Sequence, residues 1–192
     1  MLLGAIADDM TGATDLALML SKSGMMTVQV IGPEAAAAAP PDAEAVVVAM
    51  KSRTNPPDAA VAMSRKALAA LRAGGAEQVL FKYCSTFDST AQGNIGPVAD
   101  ALLADLDAPI AIACSAFPDA GRTIYQGHLF VGDRLLSESG MRNHPLTPRP
   151  IPIWCGCSAA RAATRSDWSA SPRFVPVRMR SGNACGSWRA PG

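Results

Sequence analysis

The sequence predicts a doubly wound α/β fold, in which a mainly parallel sheet carries helices on both faces and an irregular tail follows. Short apolar runs alternate with segments of helical spacing through the first 148 residues. These runs are continuous rather than alternating, as in parallel strands that are buried on both faces. Apolar residues make up 49% of the 192 residues and charged residues only 17%. That balance allows a sizeable core and excludes wholesale disorder.

The strands are predicted from apolar runs that end in polar residues. They cover residues 2–7, 27–31, 45–50, 79–82 and 110–114.

Three helices are predicted between the strands, over residues 13–23, 57–73 and 95–106. The first ends before Gly24, and the second begins with a proline and is followed by two glycines, both typical helix boundaries. Residues 8–12 are predicted to form a polar turn, and the Ala/Pro-rich segment 35–41 a loop.

A candidate site follows from this fold, because open parallel sheets bind ligands beyond the carboxyl ends of their strands. Polar residues cluster there: Asp8, Asp9, Thr11, Ser52, Arg53, Lys82, Ser85, Asp88, Ser89 and His128. Basic side chains suit a carboxylate, aspartates and serines suit hydroxyls, and a carboxylate can act as a base toward an attacking hydroxyl. The set predicts a site for a small polyhydroxylated anion.

Several of these residues also have a structural explanation. Asp8 and Asp9 could cap a helix, and Lys82 could extend from a strand end into solvent. Residues 85–90 could be turn chemistry, and His128 could be a core histidine. The sequence contains no phosphate-binding glycine loop, and Gly93-Asn94-Ile95-Gly96 is only a weak anion-binding motif.

Longer motifs resemble a known family. They are residues 6–15 (IADDMTGATD), 81–90 (FKYCSTFDST), 93–98 (GNIGPV), 121–131 (GRTIYQGHLFV) and 138–148 (ESGMRNHPLTP). Together they resemble the four-carbon acid sugar kinases, over essentially all of residues 1–148.

The resemblance implies ATP-dependent phosphorylation of the 4-hydroxyl of a four-carbon sugar acid. In that family an N-terminal α/β domain binds the acid, and a separate C-terminal domain binds ATP with Mg²⁺. We therefore expect residues 1–148 to be the acid-binding domain, with no cofactor or metal bound by this chain alone and no activity of its own. The alternative is a stand-alone binding module for four-carbon sugar acids, without catalysis.

The resemblance also assigns roles to the candidate residues. Asp8 and Asp9 would be catalytic, one of them orienting or deprotonating the attacking hydroxyl. Arg53 with Ser52 would pair with the substrate carboxylate. The other substrate-binding candidates would be Thr11, Lys82, Ser85, Asp88, Ser89 and, more loosely, His128.

Residues 149–192 differ in composition from the rest of the chain. They hold seven arginines, one acidic residue and all three tryptophans, whereas residues 1–148 hold 10 basic and 15 acidic residues. Residues 149–158 can be encoded by a DNA string whose shifted frame reads Thr-Asp-Ser-Asp-Leu-Val, close to how that family continues. Our hypothesis is that this basic tail is read out of frame; a nucleic-acid-binding arm and simple disorder are the alternatives.

The remaining expectations concern location and partners. No apolar run approaches the ~20 residues of a membrane span, and the first residues lack a basic region before Asp8 and Asp9, unlike a signal peptide. The five cysteines are scattered and odd in number, unlike a secreted disulfide framework. We expect a cytoplasmic protein that binds a small sugar acid and neither nucleic acid nor membrane.

Overall fold

The computed structural model describes residues 1–86 and 93–143, together with the backbone of residues 165–168 and 177–180. Four parallel strands form the central sheet, in the spatial order second, third, first, fourth. They are β1 (Leu3–Ala7), β2 (Thr27–Ile31), β3 (Ala45–Ala49) and β4 (Gln78–Lys82).

Helices cover both faces of this sheet, which confirms the predicted fold class. They are α1 (Met10–Lys22), α2 (Pro57–Ala73) and α3 (Ile95–Asp105). Alternate residues of a strand point to opposite faces: Val46 and Val48 of β3 pack with α2 and α3, whereas Val47 and Ala49 pack with α1. On the α1 side β1 contributes Ala5 and Ala7 to the core.

The first helix begins at Met10, three residues earlier than predicted. Asp9 has an extended backbone and is the N-cap, because its Oδ1 accepts a hydrogen bond of 2.8 Å from the Gly12 amide. A Cβ added at Gly12 would lie 2.6 Å from that oxygen, a distance that real Cβ atoms do not reach. Glycine therefore lets the helix start inside the segment that we predicted to be a turn.

The order of the strands creates a topological switch point between β1 and β3. Neighbouring β1 and β3 are followed by helices on opposite faces, α1 after β1 and α2 after β3. The carboxyl ends of two such neighbouring strands mark the position at which open α/β sheets bind ligands.

Other elements differ from the prediction. The segment expected to be an Ala/Pro loop contains a 3-10 helix, Pro33–Ala38. The fifth strand, β5 (Ile110–Ala113), packs beside α3 through Ala113, Ile95 and Leu103. Its described backbone pairing lies outside the parallel sheet and is antiparallel, with a strand of residues 149–192.

The remaining strands form antiparallel sheets. One is a three-stranded sheet that was not predicted, formed by β6 (Arg122–Tyr125), β7 (His128–Val131) and β8 (Arg134–Leu135). Its first two strands, β6 and β7, form a hairpin. Gln126 and Gly127 connect β6 to β7, both with positive φ, as tight hairpin turns require. In the tail, β9 (Arg165–Trp168) pairs with β10 (Val177–Arg180), which is the partner of β5. In the described ranges, no helix is both long and apolar enough to cross a membrane.

Candidate sugar-acid site

Backbone hydrogen bonds of Asp8 join three loops at the carboxyl edge of the sheet. Its amide donates to the carbonyl oxygen of Lys82 at 3.1 Å, and its carbonyl oxygen accepts from the amides of Ser52 at 3.0 Å and Arg53 at 3.2 Å. The residue after β1 is thereby held against both the loop after β3 and the end of β4. These strand ends converge, as we expected.

The centre of the site is an arginine held between two aspartates. Arg53 donates from Nη2 to Asp8 Oδ1 at 2.8 Å and from Nε to Asp8 Oδ2 at 3.2 Å. The same Nη2 lies 2.8 Å from Asp9 Oδ1. The Asp8 side chain is 1% exposed, whereas Arg53 is 25% and Asp9 26% exposed. The two-point geometry fixes the orientation of the guanidinium as well as its position.

The charges within this group perturb one another. Burial raises the pKa of the Asp8 carboxyl, and the neighbouring Asp9 charge adds to this, against the opposing effects of Arg53 and Lys82. Burial alone would lower the pKa of Arg53, but the hydrogen bond and negative charge of Asp8 outweigh it and raise that pKa. Arg53 therefore stays cationic and offsets the cost of holding Asp8 as a buried carboxylate.

Lys82, the last residue of β4, lies close to the first turn of α1. Its Nζ donates to the Tyr83 carbonyl oxygen at 2.8 Å. A Cβ added at Gly12 would be 3.4 Å from this Nζ, in addition to its clash with Asp9. The absence of a side chain at Gly12 thus leaves room for an ammonium and a carboxylate next to each other.

The other predicted site residues differ in burial and in whether they contact the two aspartates or Arg53. Ser52 is buried and contacts Asp8 through its backbone, Thr11 is exposed in the first turn of α1, and Ser85 is half-buried after β4. Asp88 and Ser89 lie outside the described residues. His128 is on the hairpin, where its Nδ1 is 3.1 Å from the Gln126 carbonyl oxygen. Among the described residues no hydrogen bond or ion pair joins it to the two aspartates or Arg53.

Two residues of this region were missed as site components. Asn94 is buried, and its side-chain amide is directed at the carbonyl oxygens of the loop that carries Arg53. Gly12 makes room for Asp9 and Lys82. Both belong to motifs noted in the sequence, but only spatial proximity reveals what they contact.

The family comparison decides what kind of domain carries this site. A model described as the sugar-binding N-terminal domain matches residues 3–151. The chain belongs to this family. The resemblance predicted from the motifs is thereby confirmed at the level of the family.

Individual relatives agree with this assignment. The chain is 66% identical over 148 residues to a protein of Pseudomonas savastanoi pv. phaseolicola named 3-oxo-tetronate kinase, covering 77% of this chain and 34% of the relative. The chain thus spans about a third of the length of the curated relatives it matches.

Solved structures of the family share the fold. A crystal structure from Salmonella typhimurium LT2 has a TM-score of 0.82 and 48% identity, covering 85% of this chain and 39% of that one. A domain of unknown function from Bordetella bronchiseptica, a domain-swapped dimer with bound citrate, has a TM-score of 0.71 and 33% identity, covering 82% and 40%.

Proposed function

We propose that this chain supplies the sugar-acid-binding domain of an ATP-dependent kinase that converts 3-oxo-tetronate into 3-oxo-tetronate 4-phosphate. The family description and the name of the relatives support the substrate class. Because the matching family model is that of a sugar-binding N-terminal domain, we assign residues 3–151 the acceptor side of the reaction.

The observation that carries this proposal is the state of the Asp9 carboxylate. Its Oδ1 is held by the Gly12 amide and by Arg53, both at 2.8 Å. Its Oδ2 has no hydrogen-bond partner among the described residues, and the side chain is 26% exposed. A fixed, partly exposed carboxylate with one oxygen unpaired among the described residues is suited to accept the proton of a substrate hydroxyl.

Asp8 is suited to a different task. Both of its oxygens accept hydrogen bonds from Arg53, and its side chain is buried. We therefore assign the base to Asp9 and give Asp8 the role of holding the arginine. Of the two aspartates expected to share the catalytic role, Asp9 is the one we propose to contact the 4-hydroxyl.

The substrate carboxylate needs a cation that the two aspartates leave available. Arg53 uses Nε and Nη2 for Asp8 and Asp9, and its Nη1 makes no hydrogen bond to any described residue. Lys82 contributes an ammonium that is bonded only to a carbonyl oxygen among the described groups. We propose that Arg53 Nη1 and Lys82 Nζ together bind the carboxylate. The citrate bound by the Bordetella relative supports a small hydroxy acid as ligand.

The described residues do not fit ATP with Mg²⁺. No group of three or more potential metal ligands occurs in the described ranges, and both carboxylate oxygens of Asp8 accept hydrogen bonds from Arg53. We derive no step through the nucleotide here. In our proposal ATP is bound by another part of the kinase, and residues 149–192 have no role in the reaction.

Binding is the first test. Isothermal titration calorimetry of the full chain with erythronate, threonate and 3-oxo-tetronate should detect a ligand, whereas erythritol, which lacks the carboxylate, should give no heat. Failure of all three acids to bind would overturn the proposal. The chain incubated with ATP and acid should form no ADP; turnover by the chain alone would contradict our assignment of ATP binding elsewhere.

The role of Asp9 is tested in a chimera. Residues 1–148 of this chain would replace the matching part of the Pseudomonas savastanoi relative. Asp9→Asn keeps an oxygen for the Gly12 amide but removes the base, so kcat should fall by at least about 100-fold with a smaller change in KM. Asp15→Asn on the same helix is the control, and an Asp9→Asn chimera with unchanged kcat would refute the assignment.

A further inference from the structure

The loop that presents Arg53 is fixed from two sides. On one side the carbonyl oxygen of Asp8 accepts from the amides of Ser52 and Arg53. On the other side Asn94 Nδ2 donates toward the carbonyl oxygens of Ser52 at 2.7 Å, Asn55 at 3.1 Å and Arg53 at 3.2 Å. The loop itself closes with a bond of 3.1 Å from the Asn55 amide to the Ser52 carbonyl oxygen.

Asn94 occupies a helix N-cap but does not cap the helix. It directly precedes α3, yet its side chain makes no hydrogen bond to the amides of the first turn. An asparagine at this position ordinarily accepts such a bond. Here the amide instead donates to a loop about 40 residues earlier, and the residue is 3% exposed.

We propose that Asn94 is a positioning residue for Arg53. By donating to the carbonyl oxygens of Ser52, Arg53 and Asn55, it fixes the backbone position of Arg53 in the loop that follows β3. That placement lets one guanidinium reach Asp8 and Asp9 simultaneously while Nη1 stays free. Its consequence for ligand affinity rests on the proposed function, whereas its effect on the Arg53 geometry does not.

The test substitutes Asn94→Asp in the full chain. The new side chain has the same size, but a carboxylate oxygen replaces the donor and repels the three carbonyl oxygens. Arg53 geometry is monitored by nuclear magnetic resonance, through solvent exchange of its Nε–H, which donates to buried Asp8. The affinity for erythronate is measured by calorimetry, and stability by thermal unfolding.

We expect the Arg53 Nε–H to exchange at least about tenfold faster and the affinity to fall by about tenfold or more. The Nε–H of Arg65, which pairs with Asp105 on the surface, should be unaffected. Asn143→Asp makes the same chemical change at an exposed residue and should alter neither readout. Should Asn94→Asp not fold, Asn94→Ala removes the donor without adding charge and is expected to shift Arg53 in the same direction.

The outcomes separate the two proposals. A lower melting temperature with an unchanged exchange rate of the Arg53 Nε–H and an unchanged affinity would mean that Asn94 is merely structural, and would overturn the inference. If the unsubstituted chain binds no acid, the proposed function fails, but the exchange rate of the Arg53 Nε–H still decides the role of Asn94.

Discussion

Replacing Arg53 with methionine tests the central ion pair of the site. The substitution keeps an unbranched apolar stem but removes the three contacts to Asp8 and Asp9. It leaves the Asp8 carboxylate 1% exposed without its cation. Breaking a buried pair from one side costs about 3–5 kcal/mol, since an uncompensated charge remains inside. For a domain of this size that corresponds to a fall in melting temperature of roughly 6–20 °C.

A surface ion pair of the same chemistry is the matched control. Arg65 lies 2.9 Å from Asp105, but the two side chains are 50% and 33% exposed. Arg65→Met should therefore cost only about 0–1 kcal/mol. Urea and thermal unfolding followed by circular dichroism would measure both variants. A loss for Arg53→Met no larger than that for Arg65→Met would refute the reasoning.

The pH dependence provides an internal check on the cause. Burial already raises the pKa of Asp8, and removing Arg53 deletes the strongest influence that lowers it. The folded state then binds a proton more tightly than the unfolded chain, whose aspartates titrate near about 3.9. The penalty is fully present above the folded-state pKa and is relieved as the pH falls through it. The deficit of Arg53→Met should thus be smaller at pH 5 than at pH 8, and the double variant with Asp8→Asn should recover part of it.

Three further predictions concern the neighbouring residues and the tail. Gly12→Ala should weaken binding of sugar acids and lower stability because its Cβ would clash with Asp9, although alanine favours helix by about 1 kcal/mol. Gly140→Ala, where a Cβ meets open space, is the control and should be neutral. A Gly12→Ala chain as stable and as tight-binding as the parent would contradict this prediction. Lys82→Gln should reduce affinity for erythronate by about tenfold with little change in melting temperature, whereas exposed Lys66→Gln should leave calorimetric affinity unchanged; equal affinities would remove Lys82 from the site. Sequencing the gene across codon 149 should reveal a shifted frame continuing as Thr-Asp and a long open frame, and its absence would contradict the out-of-frame hypothesis for residues 149–192.

Much of the fold follows from local patterns in the sequence. Continuous apolar runs predicted the first four strands within about one residue, and the Pro57 start and Gly74 end predicted the bounds of α2. The start of α1 was misplaced because Asp9, Thr11 and Gly12 are turn residues by type, and only the cap bond to Gly12 makes them the beginning of a helix. The antiparallel pairing of β5 with β10 was not predicted, since an apolar run does not specify which strand edge it meets.

For the site, the sequence determined which residues would meet but not how they pair. Polar residues after parallel strands share one sheet edge, so Asp8, Asp9, Arg53 and Lys82 could be grouped before any coordinates were known. Residue type made Arg53 a natural partner for the substrate carboxylate; that two of its donors, Nε and Nη2, are directed to Asp8 and Asp9 could not be predicted from residue type.

Only the tertiary structure distinguished the two aspartates. Adjacent in sequence and identical in chemistry, they differ because Asp8 is buried against Arg53 whereas the Asp9 side chain stays 26% exposed. Asn94 likewise acquires its contacts from a loop about 40 residues away. Local sequence specifies backbone preference and the side of a strand or helix, whereas hydrogen-bond partners and desolvation depend on atoms that only the packed fold brings within reach.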